Sequence, residues 1–324
     1  MAYVDLVSTG LTPVAGGATY NFSYDTPISA DGSPHLTHIG FQIDGNMAAP
    51  ATYVSSIGRL ITNMRIKIGA NTILDFNDPK VGLDATTPSN LSCLAQKVRG
   101  VDMISLTDLL GQEFVSEIAL PFGLDATRSH RVNFSITLGS ETTWCGQAFT
   151  TGSTEFNVVN YYGTASDSTL YGSRQDFTLT ENSERAVTIY GKQGWSMLGV
   201  TAINATDADN ISQIRVNNGA FRALKIQQWR VLDSTYLSGI RTIDSTNLNT
   251  PNWVLSRAGF VFLDLKRITA GANIDLVVTS TANTTYSFFP VWVAPLGKGT
   301  GAAPQQTIKT VSSTAKDVES ESYN

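Results

Sequence analysis

Charge is scarce in this chain. Only 15% of its 324 residues are Asp, Glu, Lys or Arg, the net charge is −5, and like charges never run five or six together. Coating nucleic acid takes clustered Lys and Arg, so bulk electrostatic binding of that kind is excluded. Cysteine is scarcer still: Cys93 and Cys145 can form at most one bridge, which rules out a disulfide scaffold. Histidine is limited to His35, His38 and His130. Long apolar runs are missing as well. The most apolar stretch, Tyr286 to Leu296, is far below the roughly 18 residues of a spanning helix, and Pro290 and Pro295 interrupt it. Met1-Ala2-Tyr3-Val4-Asp5-Leu6 has neither the basic nor the apolar region of a secretory signal. The expectation is a soluble chain made in the cytosol. Gly and Pro are near average usage, which sets aside collagen-like and Pro-rich repeats.

What is present is apolar residue in a period of two. The chain is 42% hydrophobic, enough for a full core. Met64-Arg65-Ile66-Lys67-Ile68 alternates apolar with charged, turns at Gly69-Ala70-Asn71 and resumes as Thr72 to Phe76, the pattern of a hairpin with one buried face. Ile39, Phe41 and Ile43 alternate in the same way, as do Val132, Phe134, Ile136 and Leu138. Further strands are expected at Phe156 to Tyr162, Phe177 to Leu179, Val187 to Tyr190 and Phe221 to Val231. Three more follow at Phe260 to Leu265, Ile274 to Val278 and Phe288 to Val293. Helical pattern is confined to Leu91–Val98, with Ser89 as N-cap, and a short turn over Leu106–Leu110. A parallel doubly wound sheet needs far more helix than this.

Three segments recur. Met64-Arg65-Ile66 before a Gly turn matches Ile214-Arg215-Val216 before Asn217-Asn218-Gly219. Phe114-Val115 with Ile118 and Leu120 matches Phe260-Val261 with Leu263 and Leu265. Val132, Phe134 and Ile136 ahead of Thr142-Thr143 match Ile274, Leu276 and Val278 ahead of Thr284-Thr285. Order is kept and the separation is nearly constant, as expected of one β-module used twice. The boundary falls in the polar segment Gly163 to Thr169. Residues 1–19 then form an N-terminal arm, 20–165 and 166–296 the two modules, and 297–324 a C-terminal arm. That last segment is rich in Gly, Ala, Ser, Thr and Gln, and is expected to become ordered only on a partner.

Chemical motifs are few. His35 and His38 have H-x-x-H spacing with no Cys or acidic cluster to complete a zinc set, so polar loop residues are expected. His130 lies in the turn-like context Asp125 to Ser129, without a G-x-S-x-G elbow anywhere. Gly297-Lys298-Gly299-Thr300-Gly301 lacks phosphate-loop spacing and reads as a linker. Asp207-Ala208-Asp209-Asn210 lacks the Gly and distal Glu of a calcium loop and reads as a solvated turn. Sequons at Asn21, Asn90, Asn133, Asn204, Asn210 and Asn283 are those an Asn-, Ser- and Thr-rich chain produces by chance. Trp144, Trp195, Trp229, Trp253 and Trp292 are spread over both halves, as core or subunit-contact residues would be rather than a sugar platform. No catalytic, cofactor-binding or metal-ligating residue is assigned, and no enzyme activity is expected.

Gly58-Arg59-Leu60-Ile61 running into the Met64 to Phe76 hairpin, Phe114 to Phe122 with its Leu120-Pro121-Phe122 corner, the strand His130 to Leu138, and the closing pair Phe260 to Leu265 and Ile274 to Val293 carry a resemblance. Over roughly residues 20–296 the chain resembles the double jelly-roll major capsid proteins of tailless icosahedral viruses with an internal membrane, lipid-containing phages of flavobacteria among them. The resemblance implies an all-β fold of two tandem eight-stranded jelly-roll sandwiches. It also implies homotrimers with a pseudo-hexameric outline that tile a virion shell, made in the host cytoplasm and closed around a membrane. Neighbouring capsomers, penton or minor capsid proteins and the internal lipid membrane would be the partners, the last two reached through the terminal arms. No sequence-specific nucleic-acid binding is implied. Residues 81–111 and 233–251 would be loop insertions, and the length of the chain argues against tall outer towers. The alternative is a carbohydrate-binding, adhesin or fibre protein of two β-sandwiches. A β-sandwich glycosidase ranks third, since it needs two carboxylates about 5 to 10 Å apart, with Glu117, Asp176, Glu181 and Asp264 as the candidates.

Overall fold

The computed structural model describes residues 3–11, 18–50, 57–78, 89–106, 112–150, 152–164, 167–206, 208–216, 223–226, 228–229, 259–268 and 271–295. In chain order the first half holds β1 (Tyr3–Leu11), β2 (Thr19–Asp25), β3 (His35–Asn46), β4 (Ile61–Ile68), β5 (Asn71–Asn77), α1 (Asn90–Lys97), β6 (Val101–Leu106), β7 (Glu113–Asp125), β8 (Arg131–Leu138), α2 (Glu141–Cys145) and β9 (Glu155–Gly163). The second half holds β10 (Asp167–Tyr171), β11 (Gln175–Leu179), β12 (Glu184–Ile189), β13 (Ser196–Asn204), β14 (Ile211–Val216), β15 (Leu224–Lys225), β16 (Phe260–Ile268), β17 (Ile274–Ser280) and β18 (Thr284–Pro295).

These strands form four antiparallel sheets, two per half. The first half pairs β1-β9-β3-β7-β6 over β2-β8-β4-β5; the second pairs β10-β18-β13-β16, with β11 also on β18, over β12-β17-β14-β15. Setting aside β6 and β11, the strand order is the same in both. Each half is a jelly roll, two sheets closed on one apolar layer. The repeats seen in the sequence fall on equivalent strands: β4 with β14, β7 with β16, β8 with β17. Even the register repeats, since Met64 faces Ile136 and Ile66 faces Phe134, while Ile214 faces Val278 and Val216 faces Leu276. All eight are buried in their sandwich cores, and the intervening Arg65 and Arg215 are exposed.

Local chemistry explains the elements. The β4–β5 hairpin turns on Gly69, whose φ of +59° opens the two-residue turn Gly69-Ala70 between the paired Ile68 and Asn71. Helix α1 begins where expected: Ser89 Oγ accepts from Ser92 N at 2.9 Å, and the buried Asp78 carboxylate accepts from Asn90 N at 2.8 Å. Both satisfy N–H groups the helix leaves open, and the carboxylate also complements the helix dipole.

Several expectations meet a different structure. Tyr3–Leu11, placed in an arm, is an edge strand paired along β9. The expected loop insertion 81–111 carries α1 and the added strand β6, while 79–88 and 107–111, with most of the expected Leu106–Leu110 turn, lie outside the described residues. Asp167–Tyr171, which begins inside the polar boundary segment and runs two residues beyond it, becomes β10 because Leu170 and Tyr171 bury against β18. Of the strand expected over Phe221 to Val231, the described residues pair at Leu224–Lys225. There Trp229 turns back into the core, donates its indole N–H to Ile214 O at 3.2 Å and ends the pairing. Residues 233–251 and 297–324 lie outside the described residues.

The Leu120-Pro121-Phe122 corner is instead a bulge inside the continuous strand β7. His38 faces Pro121 and Leu36 faces Leu124, so β7 carries one extra residue there, and Gly123 takes φ +64°. The second half seats on this bulge. Ser168 Oγ donates to Gly123 O at 2.7 Å, Tyr171 O–H donates to Pro121 O at 3.0 Å, and the Tyr171 ring stands 5.7 Å from Phe122. A Cβ on Gly123 would lie 2.5 Å from Asp167 O. Phe289 meets Phe76 edge-on at 6.1 Å, and α1 lies against β16. Thus the face of the β10-β18-β13-β16 sheet that bears Tyr171 and Phe289 is covered by the first half. Phe76→Ala and Phe289→Ala are each expected to cost about 3–5 kcal/mol of stability. The double variant should cost less than the sum by about 0.5–1.5 kcal/mol, read from urea denaturation.

Candidate functional site on the outer face of the first sheet

No catalytic constellation is assembled among the described residues. No group of three or more His, Cys, Asp or Glu there could hold a metal ion. His35 and His38 lie on β3. The His38 ring bonds Arg99 O through Nε2 at 3.2 Å and Thr37 Oγ1 through Nδ1 at 3.1 Å, and burial pulls its pKa below the ordinary value. His130 Nε2 donates to Asp125 O at 2.7 Å, a turn contact. The four carboxylates are dispersed. Glu117 is on β7; Asp176 on β11 accepts from Ser287 Oγ at 2.6 Å; the Glu181 backbone N–H donates to Asn283 Oδ1 at 3.0 Å; Asp264 is on β16. Asp209 accepts from Gly259 N at 2.8 Å, and Asp207 lies outside the described residues. Trp144, Trp195, Trp229 and Trp292 are buried, so they form no exposed platform; Trp253 lies outside the described residues. Asn90 and Asn204 are likewise buried.

The feature that stands out is a surface. In the β1-β9-β3-β7-β6 sheet, Ile39, Phe41, Ile43, Phe156 and Ile118 point into the sandwich, where Phe41 meets Phe134 of β8 at 4.8 Å. Alternation sends the residues between them outward. Val4 faces Tyr161 and Leu6 faces Val159 across β1 and β9, Gly40 faces Ala119 across β3 and β7, and Met103 faces Glu117 across β6 and β7. Val4, Leu6 and Met103 are 48%, 54% and 55% exposed, which makes this face apolar at both of its edges. Asp44, Glu113 and Glu155 place the acidic groups together at one end.

A polar bridge crosses the middle. Tyr161 O–H donates to the Glu117 carboxylate over the top of β3, and Gln42 Nε2 donates to it at 3.3 Å. The bridge needs Gly40 beneath it, because a Cβ there would sit 2.7 Å from Glu117 Oε1 and 3.2 Å from the Ala119 Cβ. Glu117 is 3% exposed. Burial raises its pKa above the ordinary carboxyl value, against the two hydrogen bonds, which lower it; Tyr161 is raised too, by burial and by the carboxylate. In the sequence Glu117 stands only among the four candidate glycosidase carboxylates, and Gly40, Gln42 and Tyr161 carry no assignment. The available signal was a glycine in the middle of an apolar strand, a mark of close approach.

Gly40→Ala is expected to push the carboxylate off Tyr161 and to cost about 1–3 kcal/mol in chemical denaturation. For Glu117 the sign follows from its raised pKa: the native state holds the proton more tightly, so its stability contribution is full below the ordinary carboxyl range. That contribution is lost as pH rises through the elevated native value. Glu117→Gln should therefore melt above the parent at neutral pH and converge with it in acid, a narrowing gap that melting curves across pH would read.

No protein-family model matches the chain, and no curated protein matches it in sequence. Solved structures do. A chain in the atomic structure of Sulfolobus Turreted Icosahedral Virus is 12% identical, with 90% of each chain covered and a TM-score of 0.51. The major capsid protein from Bacteriophage PM2 is 11% identical, over 92% of this chain and 99% of that one, with a TM-score of 0.46. N-glycanase F is 10% identical, over 90% of this chain and 95% of that one, with a TM-score of 0.35. At such identities the likeness concerns the fold. The chain folds as a double jelly roll, a fold similar to that of the chain from Sulfolobus Turreted Icosahedral Virus.

Proposed function

We propose that this chain is a major capsid protein that trimerises into pseudo-hexameric capsomers and tiles an icosahedral virion shell around an internal membrane. The observation that carries the reading is the repeated strand order, β1-β9-β3-β7 over β2-β8-β4-β5 and β10-β18-β13-β16 over β12-β17-β14-β15, in one chain. Three such chains present six similar flanks, and closed rings of like contacts are how most soluble oligomers form. With units taken as residues 20–165 and 166–296, each subunit supplies two corners of a near-hexagonal tile.

The chemistry is that of a structural protein. Low charge suits broad lateral contacts, whose cores are depleted in charged groups. With no polybasic segment, something other than this chain neutralises the genome, and a membrane vesicle inside the shell would separate the two. Segment 297–324 is the part assigned to meet minor or penton proteins or lipid. The place of work is the virion, after synthesis in the host cytoplasm.

Purified protein is expected to sediment as trimers and to show six-lobed particles in negative stain. Its melting temperature should not respond to oligosaccharides, since only a ligand that binds the native state raises it. Monomers at every pH, salt and protein concentration, or a sugar-dependent rise in melting temperature, would overturn the reading in favour of an adhesin.

A further inference from the structure

At one end of the second sandwich a turn through Lys192 and Trp195 joins β12 to β13, beside the point where β18 ends at Pro295. The Lys192 ammonium stands 6.0 Å from the ring centre of Trp195 and 5.9 Å from that of Trp292. Both indoles are buried, so the cation rests against two electron-rich faces. The turn itself is held firmly. Gly191 N–H donates to Asn273 Oδ1 at 2.8 Å, Gly271 N–H donates to Trp195 O at 3.3 Å, and a Cβ on Gly191 would lie 2.3 Å from Ala272 O. Yet no carboxylate among the described residues pairs with this ammonium, and burial alone pulls its pKa below the ordinary lysine value. Asp275, at the same end of the sandwich, is engaged by Thr188 Oγ1 at 2.8 Å. The Trp292 indole N–H is buried and has no acceptor among the described residues. A half-buried cation and a buried donor, both left without an acceptor at one place, mark a seat for an anion.

We propose that the acidic end of the C-terminal arm, with Asp317, Glu319 and Glu321, docks on Lys192 of its own chain. The inference goes beyond the capsid reading and does not depend on it. Residues 317–324 contain three carboxylates and no Lys or Arg, so this end of the arm complements the seat in charge. It is also tethered beside it. Strand β18 carries Trp292 and ends three residues later at Pro295, about 10 Å along the strand. The roughly 20 residues between Pro295 and Asp317 give an r.m.s. reach of about 25 Å, enough to bring the acids back to the turn. One ion pair is too weak to capture a free peptide, but a tether of this kind supplies an effective concentration on the order of millimolar. Three neighbouring carboxylates then compete for one ammonium, and the indole faces keep water from one side of the pair. An arm held in this way meets another partner only by giving up the Lys192 contact.

The test applies a water-soluble carbodiimide, which joins a carboxylate to an amine in contact with it, to the full chain in a mixture of isotopically light and heavy subunits. Mass spectrometry should find Lys192 linked to Asp317, Glu319 or Glu321 within one chain, and the link should fade in 1 M salt, where screening acts over about 3 Å. The triple variant Asp317→Asn, Glu319→Gln, Glu321→Gln should free the amine. Acetylation of Lys192 by trace acetic anhydride is expected to rise at least threefold, with the exposed Lys67 and Lys225 unchanged. Links spread evenly over Lys67, Lys225 and Lys192, no link at Lys192, or unchanged acetylation overturns the proposal and leaves Lys192 a packing residue. Links between light and heavy chains overturn docking on the arm's own chain. Shielding of Lys192 that appears only with added anionic lipid vesicles overturns the arm as occupant in favour of a headgroup. A protein that stays monomeric and still shows the intrachain link keeps this inference and loses the capsid reading.

Discussion

Burial of one sheet on both sides governs this structure. The β10-β18-β13-β16 sheet closes its own sandwich with Val200, Leu263 and Phe288, and closes the joint to the first half with Phe262, Phe289 and Tyr171. A sheet covered on both faces reads as a continuous apolar run rather than an alternating one. Val200 to Ile203 and Phe260 to Leu263 read that way, and every residue in both is buried. Separated from the first half, this sheet would expose several large aromatic side chains, each worth about 1.5–3 kcal/mol of burial. The two sandwiches therefore belong to one body.

The first half solves the complementary problem. Its outer sheet face carries a polar group at its middle, held by the Tyr161–Glu117–Gln42 bridge over Gly40. A carboxylate held by internal donors keeps hydrogen-bond partners although its residue is buried. Around the bridge the apolar side chains sit at the sheet edges, on β1 and β6, where alternation alone would leave them in water. The elaboration of the fold is concentrated here as well: β6 is present in the first half and has no equivalent among the described residues of the second.

Much of this was legible from residue order. Period-two alternation located β3, β4, β5, β8 and β17, because each buries one face and meets water on the other. The three recurring segments landed on equivalent strands, since core positions of equivalent strands must repeat when the packing repeats. Helix α1 was legible through Ser89, whose capping role is a local hydrogen bond. The misreadings share a cause. Tyr3–Leu11 lacks a pattern of its own and becomes a strand only because β9 offers an open edge. Trp229 overrides a β-prone segment by finding an acceptor fifteen residues back in the chain, at Ile214. Pro121 suggested a corner, yet the second half seats on it and turns it into a bulge.

Composition and periodicity by themselves determined an all-β chain of two like sandwiches, because burial on one side of a strand leaves its mark every second residue. Tertiary structure alone decided that the first half covers the outer sheet face of the second, and brought Gly40, Gln42, Glu117 and Tyr161 together from three strands. Those residues are distant in sequence, and their relation exists only through cross-strand register, which no local pattern encodes.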